Sequence, residues 1–412
     1  MFDYGEIKQL DLEASSLCNA ECPSCGRRAS GGLKNTIMTE TYVSLEQAKE
    51  WFTEDFIKGL RMLSMCGNYG DSMTNPDLIP ILKYFRSCNP DIELYMNTNA
   101  SGRDAEFWQD LGNIFKHKGC LVFSVDGLED TNWIYRKGTH WDKIMTAMTN
   151  YISTGAEARW EFLVFRHNQH QIEEATELSK KLGFKQFYAK KAMGFTNFTD
   201  SSGKWGHDMK VHGQEGHLQY TIKPPIGIEL EQRKWDSEPM PEPDSLETGY
   251  LEDIKKQLAK SVVPLTPIKW HHNPTREWKL DKTVQLSEYD KKLSEYDINC
   301  EAIAHKKIFV NSYGMVFPCC YLASIYDDQY GQGDTVAALL AFINRYGKDS
   351  ISLQHTSLKD IIGGEMYTTG YLESFEDRDI RNKRLKACSV FCGKETEISK
   401  TKQSMLSENN LI

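Results

Sequence analysis

Apolar positions along residues 8–190 follow two alternating rhythms. Short extended runs fall at Leu10 and Leu12 and at 60–66, 92–96, 121–125, 160–165 and 184–189, and these read as strands. Between them the apolar residues recur at helical spacing. Ser44, with Gln47 three residues on, forms a capping box ahead of Leu45, Ala48, Trp51 and Phe52. Asn75-Pro76 predicts the next helix start, before Leu78, Ile79, Leu82 and Phe85. Phe107, Leu111, Ile114 and Phe115 mark a third helix. Ile144, Met145, Met148, Tyr151 and Ile152 mark a fourth, ended by Gly155, and Ile172, Ala175, Leu178 and Leu182 a fifth, stopped by Gly183. Strands and helices alternating in this way predict parallel pairing with helices outside. Six units are too few for a closed eight-fold barrel. The expected fold class is therefore α/β, a partial (β/α)6 TIM-like barrel over residues 1–194, with function at the C-terminal ends of its strands.

The rhythm breaks over 195–299, where Trp205, Trp235, Trp270 and Trp278 are scattered through polar, proline-bearing sequence with an acidic stretch at 238–247. This span is expected to be an irregular insertion or linker acting as a lid. Lys269-Trp270-His271-His272-Asn273-Pro274-Thr275-Arg276 reads as a solvated surface loop, because adjacent histidines in extended chain point to opposite sides. A small α+β unit is expected over 300–395, followed by a tail at 396–412.

Composition narrows the class. With 412 residues, 40% hydrophobic and 26% charged, the chain holds two or three domains of ordinary globular core. A net charge of −9 argues against a nonspecific nucleic-acid partner. No apolar run approaches a membrane span and no signal-peptide pattern opens the chain, so the expected location is the cytoplasm, away from membrane. Thiols stay reduced there, and 11 cysteines point to metal or redox chemistry rather than disulfides.

Eight of the cysteines fall at the two ends, and Cys66, Cys88 and Cys120, between them, read as small buried hydrophobes. Cys18, Cys22 and Cys25, spaced C-x3-C-x2-C, come directly after the strand-like Gln9-Leu10-Asp11-Leu12-Glu13. Thiolates suit iron–sulfur clusters and zinc. Three of them hold three irons of a cubane and leave the fourth iron without a protein ligand. Structural zinc asks for four closed ligands, and no fourth Cys or His follows within thirty residues. A zinc knuckle stays open as the plainer alternative. Further strand ends carry Cys66-Gly67-Asn68-Tyr69-Gly70-Asp71-Ser72, Asn97-Thr98-Asn99-Ala100, Ser124-Val125-Asp126-Gly127, Tyr135-Arg136, and Arg166 with Asn168. Taken singly, these are residues that turns need in any case.

Together and in order, these segments resemble the radical S-adenosylmethionine (radical SAM) enzymes over roughly residues 8–190. The resemblance implies that Cys18, Cys22 and Cys25 bind a [4Fe–4S] cluster whose open iron chelates the amino and carboxylate groups of S-adenosylmethionine. It gives Gly67, Gly70 and Asp71 the part of a Gly-Gly-Glu-like segment facing the methionine amino group. Asn97, Thr98 and Asn99 resemble the family's Thr-Asn-Gly turn, and Ser124 and Asp126 its ribose-facing segment. Arg136 stands where an arginine often meets the cofactor's carboxylate, and Arg166 closes the fifth strand. Ser24 departs from the aromatic residue that many members place before the third cysteine.

The C-terminal cysteines form a second pattern. Cys300, thirteen residues, Gly314, four residues and Cys319 read as a hairpin with its turn at 311–314, and Cys388 and Cys392 follow later. This resembles the SPASM/twitch domains that follow many radical SAM cores. It implies one auxiliary [4Fe–4S] cluster on Cys300, Cys319, Cys388 and Cys392, with Cys320 an apolar neighbour and a four-cysteine zinc ribbon as the alternative. Flanking Arg381, Lys383, Arg384, Lys386 and Lys394 would offset thiolate charge. The implied activity is reductive cleavage of S-adenosylmethionine and hydrogen abstraction from a substrate, fed by an external flavodoxin- or ferredoxin-like electron donor. With the first cysteine at residue 18 there is no room ahead of it for a peptide-recognition domain. The expected substrate is therefore a small molecule or a separately delivered peptide. A radical SAM enzyme acting on nucleic acid and a non-catalytic zinc protein are the competing readings. The sequence names no catalytic acid or base.

Overall fold

The computed structural model describes residues 1–192, 195, 208–226, 247–261, 285–327 and 333–393. Its strands are β1 (Gln9–Leu12), β2 (Met62–Met65), β3 (Glu93–Thr98), β4 (Gly119–Ser124), β5 (Glu157–Val164), β6 (Gln186–Lys191), β7 (Met209–His212), β8 (Leu218–Ile222), β9 (Lys307–Val310) and β10 (Val316–Phe317). One eight-stranded sheet runs β10-β9-β1-β2-β3-β4-β5-β6, and β7 and β8 form a separate antiparallel hairpin. β1 to β6 pair in parallel in sequence order, as the alternation of strand and helix predicts. No described helix is long and apolar enough to cross a membrane.

Period-two burial sets the two faces of the sheet. In β5, Ala158, Trp160, Phe162 and Val164 are buried against the helices, while Glu157, Arg159, Glu161 and Leu163 alternate with them on the concave side. Helix ends follow local chemistry. Ser44 and Gln47 exchange capping-box hydrogen bonds ahead of the helix Leu45–Trp51. Gly183, at φ +93°, ends the helix Ile172–Leu182. One expected start is displaced: the helix Leu78–Cys88 begins after Asp77, not at Asn75. The Asn75 side chain instead donates to the carbonyls of Ala14 and Val43 at 2.9 Å each, tying the chain after β1 to the chain before the first helix. A short helix, Glu54–Gly59, capped by Thr53, had no clear sequence signal.

The span 195–299, expected to be irregular, holds regular structure in its described parts: the β7–β8 hairpin and the helices Glu247–Lys260 and Glu288–Glu295. The C-terminal hairpin forms as expected but does not stand apart. β9 pairs in parallel with β1 over four positions, from Gln9 with Lys307 to Leu12 with Val310, and so extends the barrel sheet. Ile308 and Val310 enter the same core as Leu10 and Leu12, which explains why an apolar β9 needs the first strand as its neighbour. The tryptophans at 205, 235, 270 and 278, the 269–276 segment, Lys394 and the tail lie outside the described residues.

The joint between core and C-terminal unit is polar. Asn68 Nδ2 donates to the Cys320 carbonyl at 2.8 Å and Tyr69 Oη to the Ser324 carbonyl at 2.6 Å. Asn35 Nδ2 donates both to Gly26 and to Asp327 backbone carbonyls. Tyr313 Oη donates to the Asp327 carboxylate. Glu13, fully buried, accepts the backbone N–H of Tyr69 at 2.7 Å. Burial pushes both carboxyls, Glu13 and Asp327, up to about 7.

Two outcomes follow from this joint. A chain cut before residue 300 leaves β1 with an open edge and an uncovered apolar face, so it aggregates in size-exclusion chromatography where the full chain does not. In the folded state both carboxyls titrate near 7, against about 4 when unfolded, so between those values the folded chain holds more protons. Stability then falls as pH rises through that window, by about 1.4 kcal/mol per pH unit for each carboxyl, and flattens above it. Urea melts at pH 5 and pH 7 measure this, and Glu13→Gln removes one carboxyl's share of the slope; an unchanged slope would refute the assignment.

Candidate functional site

The three N-terminal thiols sit on the loop that leaves the C-terminal end of β1. Its shape is imposed from inside by Arg27, a buried guanidinium that donates to the carbonyls of Ser16 (3.1 Å) and Cys18 (3.0 Å) and pairs with Glu40 at 3.1 Å. The Cys25 N–H closes a turn onto the Cys22 carbonyl at 3.0 Å. From the other side comes the loop after β2. Gly70 lies so close that a Cβ there would fall 1.6 Å from the Ser15 carbonyl oxygen, and the Asp71 N–H donates to the Leu17 carbonyl. Gly26 is needed for a similar reason, since the Tyr69 ring fills the place of its side chain.

Burial pushes Cys18 up to about 12 and Cys22 up to about 11, and raises Cys25 as well. Neighbouring thiolates repel one another within the set: Cys22 raises Cys18, and Cys25 raises Cys22. Several donors favour the ionised sulfurs. The Ala20 N–H points at Cys18 Sγ from 3.3 Å, Asn99 Nδ2 from 3.4 Å, and Arg136 Nη1 lies 3.8 Å from Cys22 Sγ. Among the described residues no group of three or more His, Cys, Asp or Glu converges on a single metal-ion position.

The structure brings most of the expected site residues to this end of the barrel, several with structural duties. Asp71 accepts from the Asn99 N–H at 2.7 Å, Thr98 Oγ1 at 3.1 Å and the Met73 N–H at 3.2 Å, so its carboxylate joins the ends of β2 and β3; burial nonetheless raises it. Gly67 packs against the Gly70 carbonyl beside Glu13. Asp126, wholly buried and raised by that burial, holds Arg136 Nε at 2.6 Å and accepts the Leu163 N–H at 2.6 Å. Arg136 is thereby fixed against Cys22. Asn97 accepts from Cys66 Sγ at 3.1 Å and, with Ser124, alternates away from the buried face of its strand. Arg166 is set apart: its N–H donates to the Lys223 carbonyl, and its charge acts on Tyr250 of the helix Glu247–Lys260. Asn168 ties the Asp126 and Leu163 carbonyls together.

Over the thiols lies a roof that sequence spacing did not reveal. Lys137 Nζ donates to the carbonyls of Gly31 and His212, and Tyr220 Oη donates to the Ile134 carbonyl at 2.7 Å. Met209 of β7 comes within 3.6 Å of Ser24 Oγ. Ala20, Cys22, Tyr135, Phe165, Met209 and Tyr220 belong to one apolar cluster separate from the main core. Glu13 and Arg27 were also missed. Glu13 had a signal, a carboxylate ending an apolar strand, but nothing in the spacing marks Arg27.

The second cysteine set shares one recess. Cys300, Cys319, Cys388 and Cys392 line one recess walled by Tyr321, Tyr371 and Phe391 among others; Cys320 does not line it. Burial raises Cys388 well above the ordinary thiol range, and Cys319, Cys392 and Cys300 add to it. Of the flanking cations among the described residues, Arg384 is the buried one. It donates to the carbonyls of Phe375, Asp377 and Tyr296 and to Ser389 Oγ, and its charge opposes the rise at Cys388. Lys386 pairs instead with Asp290, Lys383 with Glu373 and Arg381 with Asp379.

No family model and no curated protein sequence matches this chain. Solved structures do. anSMEcpe with bound AdoMet is 13% identical with a TM-score of 0.44, over 98% of this chain and 100% of that one. Streptococcus suis SuiB bound to precursor peptide SuiA is 16% identical with a TM-score of 0.42, over 93% and 76%. BtrN in complex with AdoMet and 2-DOIA is 10% identical with a TM-score of 0.38, over 91% and 92%. Two of these three structures hold AdoMet, and at 10–16% identity the likeness to them is one of chain path.

Proposed function

We propose that this chain is a radical SAM enzyme in which Cys18, Cys22 and Cys25 hold a [4Fe–4S] cluster. The observation that carries the reading is the donor set itself: three soft ligands on one loop at a strand's C-terminal end. They are bordered by apolar side chains and faced by N–H and guanidinium donors. When bound, such a cluster with an iron free of protein ligands supplies the electron that cleaves S-adenosylmethionine reductively.

The chain's own groups have definable tasks. Asn99, the Ala20 N–H and Arg136 offset charge on the sulfurs. Asp126 keeps Arg136 oriented, since a guanidinium without that partner would be a buried, uncompensated charge. The β7–β8 roof keeps water from the thiols. Gly67, Gly70, Asp71, Asn97, Thr98, Asn99, Ser124, Asp126 and Arg136 are the candidates for touching the nucleotide, whereas Arg166 acts from the roof. Cys300, Cys319, Cys388 and Cys392 hold an auxiliary [4Fe–4S] cluster in their recess. The substrate is a small molecule or a peptide, and the electron comes from a flavodoxin- or ferredoxin-like donor.

Anaerobically purified protein should contain about eight iron and eight acid-labile sulfide per chain, falling by about half in Cys22→Ala, as two four-iron clusters require. Dithionite should release 5′-deoxyadenosine from S-adenosylmethionine with the native chain and only background with Cys22→Ala. Zinc without sulfide in the native protein would end this reading.

A further inference from the structure

We propose that the concave face of the sheet is a chamber for a small zwitterionic ligand, one carrying both an ammonium and a carboxylate; in the function proposed above, on which this rests, that ligand is the substrate. The strand register lines up one row across this face: Asp11, Ser64, Tyr95, Cys120 and Glu157. Met62, Val122 and Tyr188, buried on the same face yet outside both apolar clusters, fill space around that row. Asn97, Ser124, Glu161 and Lys190 stand nearer the C-terminal mouth, next to the residues that reach the Cys18 loop.

Cys66 shows that the space is open. Its thiol lies between strand ends, 3.3 Å from Ser64 Oγ and 3.1 Å from Asn97 Oδ1, yet the residue is exposed to solvent. A side chain set among neighbouring strands on the inner face and still wet lines an open space, not a packed interior. The charges of Asp11 on β1, Glu161 on β5 and Lys307 on β9 all act on this one sulfur, so the walls carrying them face it together. Arg159 Nε and Gln186 Oε1, paired neighbours on the same face, are buried without a hydrogen-bond partner, which marks further polar room.

The charges on this face select the ligand. Apart from Glu93, which pairs with Arg61 at the other end of the sheet, Asp11, Glu157 and Glu161 stand with Arg159, Lys190 and Lys307, three of each sign. Lys307 lies 4.0 Å from both Asp11 and Glu301, Arg159 is 3.4 Å from Glu157, and Lys190 pairs with Glu161. An apolar ligand would strip water from these groups and return nothing. A polyphosphate would meet three carboxylates. A ligand with one ammonium and one carboxylate meets opposite charge with each end: its ammonium between Asp11 and Glu161 beside Cys66, its carboxylate toward Lys307 or Lys190.

Cys66 is the reporter for the test. The anaerobically purified full-length chain is exposed to three small disulfides: cystine (zwitterionic), cystamine (cationic) and 3,3′-dithiodipropionate (anionic). Mixed-disulfide formation at Cys66 is followed by peptide mass spectrometry, and each rate is divided by that for the urea-unfolded chain. Cystine should lead both of the others by about fivefold, as expected when one more half-exposed charge contact is made. Glu161→Gln should then shift the order toward dithiodipropionate, and Lys190→Met toward cystamine. The proposal fails if cystamine or dithiodipropionate is fastest in the native chain, or if Cys66 reacts only after unfolding; that ranking decides the matter even where a variant does not fold. Iron and sulfide measured on the same sample judge the cluster reading separately, so the two can fail independently.

Discussion

The close crossing of two backbones governs this site. The chain leaving β1 and the chain leaving β2 touch where Gly70 meets the Ser15 carbonyl, with room for no side chain between them. Glu13 locks the crossing by accepting the Tyr69 N–H, and the Asp71 N–H donates back to Leu17. Cys18 follows one residue after that last contact. The thiols are therefore placed by two neighbouring strands of a rigid sheet, not by the loop's own preferences, and a site built on such elements keeps its geometry without a ligand to organise it.

That preorganisation has a chemical consequence. Burial raises all three thiols above their ordinary range. Metal must displace their protons, so loading is coupled to pH, and the donors around the sulfurs lower the cost of ionising them. Of these donors Arg136 is the one that carries a full, permanent positive charge. Its burial is tolerable only through Asp126, which is why the fourth and fifth strand ends matter to a cysteine on the first loop.

What could be read from the chain alone was whatever local chemistry repeats. The six core strands, their parallel order, the Ser44 cap and the Gly183 stop all come from short-range patterns. What stayed hidden depends on contacts between distant segments. Asn75 looks like a helix cap, but its amide serves two carbonyls some thirty and sixty residues away. β9 reads as half of a self-contained hairpin because nothing in its sequence names β1 as a partner nearly three hundred residues earlier. Met209 and Tyr220 lie in a stretch without rhythm, and only the folded chain brings them over Ser24 and Ile134. Arg27 looks like any exposed cation until the loop closes around it.

The placement of β9 also decides how the two cysteine sets relate. β10 runs antiparallel to β9, so after Phe317, which lies opposite Phe309, the chain heads back toward the start of β9. Cys319 therefore leaves the sheet away from the mouth where Cys18 sits. The helix Cys320–Tyr326, about 10 Å long over its seven residues, follows. Asn68 grips its first residue and Tyr69 its fifth, while the Tyr69 ring rests on Gly26 beside Cys25. One short helix and one loop thus span the distance between the sets. Because both are anchored in the same sheet, that distance is a property of the fold, and the β7–β8 roof can change over the first set without altering it.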